Sequence, residues 1–284
     1  MEEYIEININ NAIYPSKLKE IKNPPKKLFL RGNLELLENN SIAIVGSREC
    51  TSYGFYKAYE FAKEVSKEEI CVISGLAEGV DTAAHLGAMH QKGKTIAVLG
   101  TGLNKIYPKE NEILAKSIIK NGGLIISEYG LYEERKSENF PKRNRIMSGL
   151  SDAILVIEAR KKSGTLITAR YAKEQGKKVF ALPGNTDLIN SSGTNELIKN
   201  GAILTTDVKD ILDKFTIQNK EENKKEEVNV EYKKVYDVIG KIPIHINEIC
   251  KKTNSPMAEV NQIITMLEIE GLIKSLPNNQ FVKG

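Results

Sequence analysis

At 284 residues the chain is longer than one small domain needs, so a main domain with an accessory one is expected, with ample material for a buried core. Its charged residues, 27% of the total, mix both signs and leave a formal net charge of only +4, which permits an anionic partner without demanding one. Cys50, Cys71 and Cys250 lie far apart with no CxxC pair, which argues against a disulfide framework or a zinc knuckle and fits a reducing compartment.

The opening stretch "MEEYIEININ" has no basic region followed by an apolar one, and nowhere do about 18 apolar residues run together. A cytoplasmic protein with no membrane partner is therefore expected. Residues 1–40 include "YPSKLKEIKNPPKKLFLRG", whose prolines and spaced Leu and Ile predict a strap packed on the main domain. From Ser41 onward, short apolar β-branched runs alternate with longer helical stretches: "IAIV" (42–45), "CVIS" (71–74), "TIAVL" (95–99), "LIIS" (124–127), "AILVIE" (153–158), "KVFAL" (178–182) and "AILTT" (202–206). Such runs lack alternation because helices, "FYKAYEFAKEVSK" and "VKDILDKF" among them, cover both faces of a parallel sheet. Residues 41–216 thus predict an α/β domain with a doubly wound, mostly parallel sheet. Four strands run straight into small or polar residues, "VGSR", "ISGLAEG", "LGTG" and "LPGN", at the carboxyl edge where open α/β sheets bind ligands.

"IQNKEENKKEE" (217–227) is polar and nearly free of apolar anchors, the composition of a flexible linker. In 228–284, "VEYKKVYDVIG", "HINEICKKT" and "SPMAEVNQIITMLEIEGLI" predict three amphipathic helices, the last capped by Ser255 with Pro256 at its first position, and "IKSLPNNQFVKG" predicts a hairpin. Together they suggest a winged helix. Its balanced charge leaves DNA binding and a protein-interaction or regulatory role equally open.

Several motifs are tested and set aside. "GKT" (93–95) resembles the end of a P-loop, but five residues separate it from Gly87 where four are required, and it leads into a strand instead of opening a helix. "GTG" (100–102) lacks the third glycine of a dinucleotide fingerprint, and no acidic residue follows the second strand to hold a ribose. Asp81 and His85 are four apart on one helical face, yet Asp81 stands where a helix N-cap would be, so a structural role outweighs an acid/base pair. Three histidines make a histidine-rich metal site improbable. No catalytic residue, metal or cofactor is assigned.

What remains is an anion-binding constellation. Gly46, Ser47 and Arg48 end the first parallel strand before a helix, where amides, a hydroxyl and a guanidinium can converge on a phosphate. Ser163, Gly164 and Thr165 open a helix after the fifth, preceded by Arg160, Lys161 and Lys162. "FPKRNRIMSGL" (140–150) adds Phe140, Lys142, Arg143, Asn144 and Arg145. Phe140 could stack a base, Asn144 could offer it a donor and an acceptor, and the two arginines diverge around a helix start. The competing structural reading has Phe140 anchoring its loop and one arginine pairing with Glu128 or Asp152.

These motifs resemble the DNA-processing protein family DprA, also called Smf, of bacterial natural transformation. The likeness runs in unbroken order through "YPSKL", "PPKKLFLRG", "AIVGSRECTSYG", "VISGLAEGVDTAAHLGA", "GKTIAVLGTGLNKIYP", "LIISEYG", "FPKRNRIMSGLSDAILVIEA", "SGTLITARYA", "VFALPGN" and "GTNELIKNGA", over residues 14–202. It implies an extended Rossmann-type domain that binds single-stranded DNA without hydrolysing it, self-associates as a homodimer, and hands the strand to the recombinase RecA while displacing single-strand binding protein. The family's strand-contacting pocket falls on Gly46, Ser47, Arg48, Phe140, Arg143, Asn144 and Arg145, and further on Ser163, Gly164 and Thr165. The chain departs from the family at "LYEERKSEN" (131–139), where a proline-rich approach to the "FPxRN" motif is usual. A rival enzymatic reading is a Rossmann-fold hydrolase of nucleoside monophosphates, built on a "PGGxGTxxE" loop; here its pieces, "PG" (183–184) and "GTNEL" (193–197), stand nine residues apart. A third reading, a regulatory winged-helix protein acting on duplex DNA, would place binding in 228–284.

Overall fold

A computed structural model describes residues 3–90, 94–214, 232–240, 242–269 and 272–283. The chain divides into two compact units, Met1–Asp213 and Lys214–Gly284. The stretch 217–227, expected as a linker, lies outside the described residues, as does Gly93 of the rejected P-loop match.

In the first unit nine strands form one sheet in the order β1-β2-β6-β5-β4-β3-β7-β8-β9. The strands are β1 (Ile5–Asn8), β2 (Lys27–Gly32), β3 (Ser41–Val45), β4 (Cys71–Ser74), β5 (Thr95–Leu99), β6 (Leu124–Ser127), β7 (Ala153–Val156), β8 (Lys178–Ala181) and β9 (Ile203–Leu204). From β6 to β9 every pairing is parallel. All five residues of β3 are buried, and alternate ones serve opposite faces of the sheet. Ala43 and Val45 pack with Ile146, Met147 and Leu150 of α5 (Asn139–Leu150) and with Ala169 and Ala172 of α6 (Gly164–Glu174). On the other face, Ala97, Leu99 and Ile125 meet Leu114, Ala115 and Ile118 of α4 (Glu112–Lys120). Burial of such a side chain stabilises by roughly 1.5–3 kcal/mol, which is why an unbroken apolar run folds here as a strand and not as a loop.

The amino-terminal segment is more than a strap: β1 and β2 extend the sheet in antiparallel sense, with β2 hydrogen-bonded to β6. In "KLFLRG" only Leu28 and Leu30 are fully buried, the alternation of a strand buried on one face. Between them, α1 (Ser16–Lys19) sends Leu18 against Gly149 of α5, where a β-carbon would stand 2.7 Å from its methyl.

Helices α2 (Ser52–Lys67) and α3 (Val80–His90) follow β3 and β4. The chain builds β3 to β6 outward on one side, then returns to lay β7 beside β3 and adds β8, α7 (Ser192–Lys199) and β9 on the other. The reversal falls between β3 and β7, where a doubly wound sheet leaves a crevice at its carboxyl edge.

The second unit comprises α8 (Lys233–Tyr236), β10 (Ile244–His245), α9 (Ile246–Thr253), α10 (Met257–Ile269), β11 (Ile273–Leu276) and β12 (Gln280–Lys283), with a three-stranded sheet in the order β10-β12-β11. This is the winged helix expected from the sequence. Its wing turns at Asn278 and Asn279, whose φ values of 65° and 53° are of the left-handed kind that asparagine tolerates. Val235, Ile239, Ile249, Val260, Ile264, Leu267 and Phe281 form its own core.

Candidate nucleic-acid interface

A recess of about 430 Å³ opens at the β3/β7 reversal. Of the residues singled out in the sequence, Gly46, Ser47, Arg48, Phe140, Arg143, Asn144, Ser163, Gly164 and Thr165 all line it. Three segments up to 119 residues apart are brought together because each follows or packs on a central strand. Ser47 N–H donates to the Glu158 carbonyl at 2.8 Å, binding the turn after β3 to the chain leaving β7. Thr165 Oγ1 donates to the Gly46 carbonyl at 2.9 Å, fastening the start of α6 to the same turn. Ser163 caps α6, its hydroxyl accepting from Thr165 N–H at 3.1 Å, so an eleven-residue helix presents its positive end to the recess. Gly164 has open space where a side chain would stand.

Five basic side chains line the recess, Arg48, Arg135, Arg143, Arg160 and Lys162, against Glu49 and Asp81. Arg160 pairs with Glu49 at 2.7 Å between two exposed groups, a weak interaction in water. Arg143 forms the floor. Only 3% exposed, it donates from Nη1 to the Val98 carbonyl, while its Nε has no hydrogen-bond partner among the described residues. Burial lowers its pKa to about 10, opposed by the charge of Asp81 and assisted by Arg48, so it stays a cation at neutral pH. Gly75 makes room for it, since a β-carbon there would fall 2.1 Å from Nη1.

Asp81 accepts from the amides of Gly75 and Ala77 at 3.2 and 3.3 Å. Burial raises its pKa and Arg143 lowers it. His85 has a different partner: Thr95 Oγ1 donates to the Val72 carbonyl and sits 2.7 Å from His85 Nδ1, which makes Nδ1–H the donor. Burial holds that ring's pKa at about 3. The pair considered for acid/base chemistry is thus two separate structural devices.

At the rim, Phe140 packs on Gly100, where a β-carbon would stand 2.9 Å from the ring. The ring lies 5.7 Å from Tyr107 and carries the Arg48 guanidinium 5.4 Å above its centroid. Phe140 therefore both anchors its loop and holds Arg48. Asn144 spends its amide on the Gly164 carbonyl at 3.3 Å, steadying the start of α6 more than offering a base edge.

Two expected members are not in the recess. Arg145 points to the opposite side of α5, where it grips Glu128 through both terminal nitrogens at 2.6 and 2.9 Å and donates to the Asn23 carbonyl. Residues two apart on a helix cannot share a face, and the alternative of a pairing with Glu128 is the one realised. Lys142 is exposed and does not line the recess. Sequence reasoning missed Tyr107 and Arg135. Tyr107 belongs to the quoted "GTGLNKIYP", and Arg135 to the loop that departs from the family pattern, so no motif flagged it. That loop is fixed by Gly102 N–H to the Glu133 carbonyl and Asn104 N–H to the Leu131 carbonyl, both 2.9 Å.

The separated "PG" and "GTNEL" do meet: Asn195 donates to the Gly184 carbonyl at 2.9 Å and accepts its N–H at 3.2 Å. Neither piece lines the recess.

A sequence-family model described as "DNA recombination-mediator protein A" matches residues 6–216. The chain belongs to that family. A second model, "DprA winged helix domain", matches 219–279. Among relatives, the chain is 36% identical to Protein Smf of Escherichia coli (strain K12) over 281 residues, 95% of this chain and 75% of that one. It is 44% identical to the DNA processing protein DprA of Streptococcus pneumoniae over 214 residues, 75% of each. The X-ray structure of the pneumococcal protein aligns with a TM-score of 0.70 and 42% identity, covering 74% of both chains. DNA processing protein A of Helicobacter pylori, solved for its single-stranded DNA binding mode, aligns with a TM-score of 0.68 and 31% identity, covering 76% of this chain and 97% of that one. Among the described residues no helix is long and apolar enough to cross a membrane.

Proposed function

We propose that the chain binds single-stranded DNA in the recess without cleaving it, and delivers the strand to RecA while displacing single-strand binding protein, as a homodimer serving DNA uptake in transformation. One observation carries the binding: the excess of guanidinium and ammonium groups gathered with a helix start and an aromatic ring where the strand order reverses. Phosphates would meet Arg48, Lys162 and the amino end of α6, over a floor kept positive by Arg143. A base near Phe140 gains roughly 1–3 kcal/mol by stacking, whatever its identity. The binding mode named for the Helicobacter protein supports this assignment. RecA delivery and self-association rest on family membership. A binding role without catalysis is favoured because Asp81 and His85 are each committed to structural hydrogen bonds.

A fluorescence titration with short labelled strands tests it. Arg48→Ala should weaken binding by roughly tenfold or more and flatten the salt dependence, because a phosphate that no cation neutralises keeps its counterion. Lys57→Ala, at a remote pair with Glu60, is the control. Equal affinity for the two variants would place binding elsewhere, and release of free base from nucleotides would favour the hydrolase reading.

A further inference from the structure

Four side chains stand in file at the rim of the recess: the Arg48 guanidinium over Phe140 at 5.4 Å, Phe140 against Tyr107 at 5.7 Å, and the Arg135 guanidinium over Tyr107 at 4.5 Å. The aromatic pair thus carries a guanidinium at each end. Arg48 belongs to the turn after β3, whereas Arg135 arrives on the loop 131–139, and both line the recess.

Arg135 is exposed and, among the described residues, has no carboxylate partner. Two of its acidic neighbours are used elsewhere: Glu133 pairs with Lys136 at 2.5 Å and Glu134 with Lys105 at 2.5 Å. An unpaired arginine on a loop would ordinarily sample many rotamers. Seated over the ring of Tyr107 it is restrained by cation–π attraction, with its polar edge left for an anion and its outer plane for a base.

We infer that Arg135, positioned by Tyr107, is a second strand-binding cation of this chain, gripping the nucleotide that leaves the recess. This rests on the reading of the recess as the single-strand site and adds a residue that no motif marked. Tyr107 touches no strand in this scheme; it acts through Arg135.

Salt-dependent titration of the full chain with a short single strand tests this. Arg135→Ala should weaken binding roughly fivefold to tenfold and lower the slope of log affinity against log salt by about one. Tyr107→Leu, which keeps the cation but removes its seat, should lose most of the same affinity, and Tyr107→Phe should restore it. The double variant Arg135→Ala/Tyr107→Leu should bind like Arg135→Ala alone. Wild-type affinity and slope in Arg135→Ala, alongside a clear loss in Arg48→Ala, would overturn the inference and leave the recess reading standing. Additive losses in the double variant would show Tyr107 acting through Phe140 instead, and would overturn its role. Failure of Arg48→Ala itself to weaken binding would count against the recess.

Discussion

Around the recess five basic side chains face two acidic ones, whereas α10, the winged-helix element that would be expected to enter a duplex groove, carries Glu259 and Glu268 and no lysine or arginine along its length. Glu268 is moreover tied to Ser275 of the wing, accepting from both the serine's backbone N–H and its hydroxyl. Phosphate neutralisation supplies much of the affinity of a protein for nucleic acid, so the two regions are unequal despite a fold in the second unit that often reads DNA. The difference teaches that a nucleic-acid fold and a gathering of cations need not coincide: here the charge is concentrated at the recess and not on α10. Within the first unit the same rule separates two arginines of one helix: Arg143 enters the recess floor and Arg145 is consumed by Glu128.

The comparison can be sharpened first at its floor. Arg143→Met should leave Asp81 buried without its compensating cation and destabilise the first unit by roughly 3 kcal/mol, read by denaturant unfolding or by hydrogen exchange of the β3 and β7 amides. Adding Asp81→Asn should recover part of that loss. A cost near zero would mean that the floor's charge is not balanced by Asp81.

A second effect is expected from acid. His85 is held neutral in the fold with a pKa of about 3 against an ordinary value of 6.5, so the unfolded chain takes up a proton that the folded one refuses. Stability should therefore fall as pH drops from about 6.5 toward 3, and His85→Gln should flatten that window in thermal melts at graded pH. An unchanged profile would show that other groups govern acid unfolding.

The smallest change bears directly on the comparison. A chain ending before 228 should keep its affinity for a single strand within about twofold, since α10 of the region removed offers a phosphate no lysine or arginine. A loss of about tenfold or more on removing 228–284 would break the contrast and return the winged helix to the binding surface.

Much of this was legible in the residues. Unbroken runs such as "IAIV" and "TIAVL" have no stable alternative to a strand covered on both faces, and a turn such as "GSR" after a buried strand must emerge at the carboxyl edge. The ends were less legible: "AILTT" yields only Ile203–Leu204 as strand, and "IEIN" with "KLFLRG" proved to be two antiparallel strands added at one side of the sheet, because their alternation is short and broken by turns.

By itself, the sequence determined the doubly wound sheet, the winged helix and most of the residues that meet at the reversal of strand order, since periodicity and turn chemistry are local. Only the tertiary structure decided which cations are available. Whether an arginine faces ligand or a glutamate depends on what the rest of the chain places opposite it. That is why Arg145 fell to Glu128, why Asn144 serves the start of α6, and why Arg135, unmarked by any motif, stands over Tyr107 at the mouth of the recess.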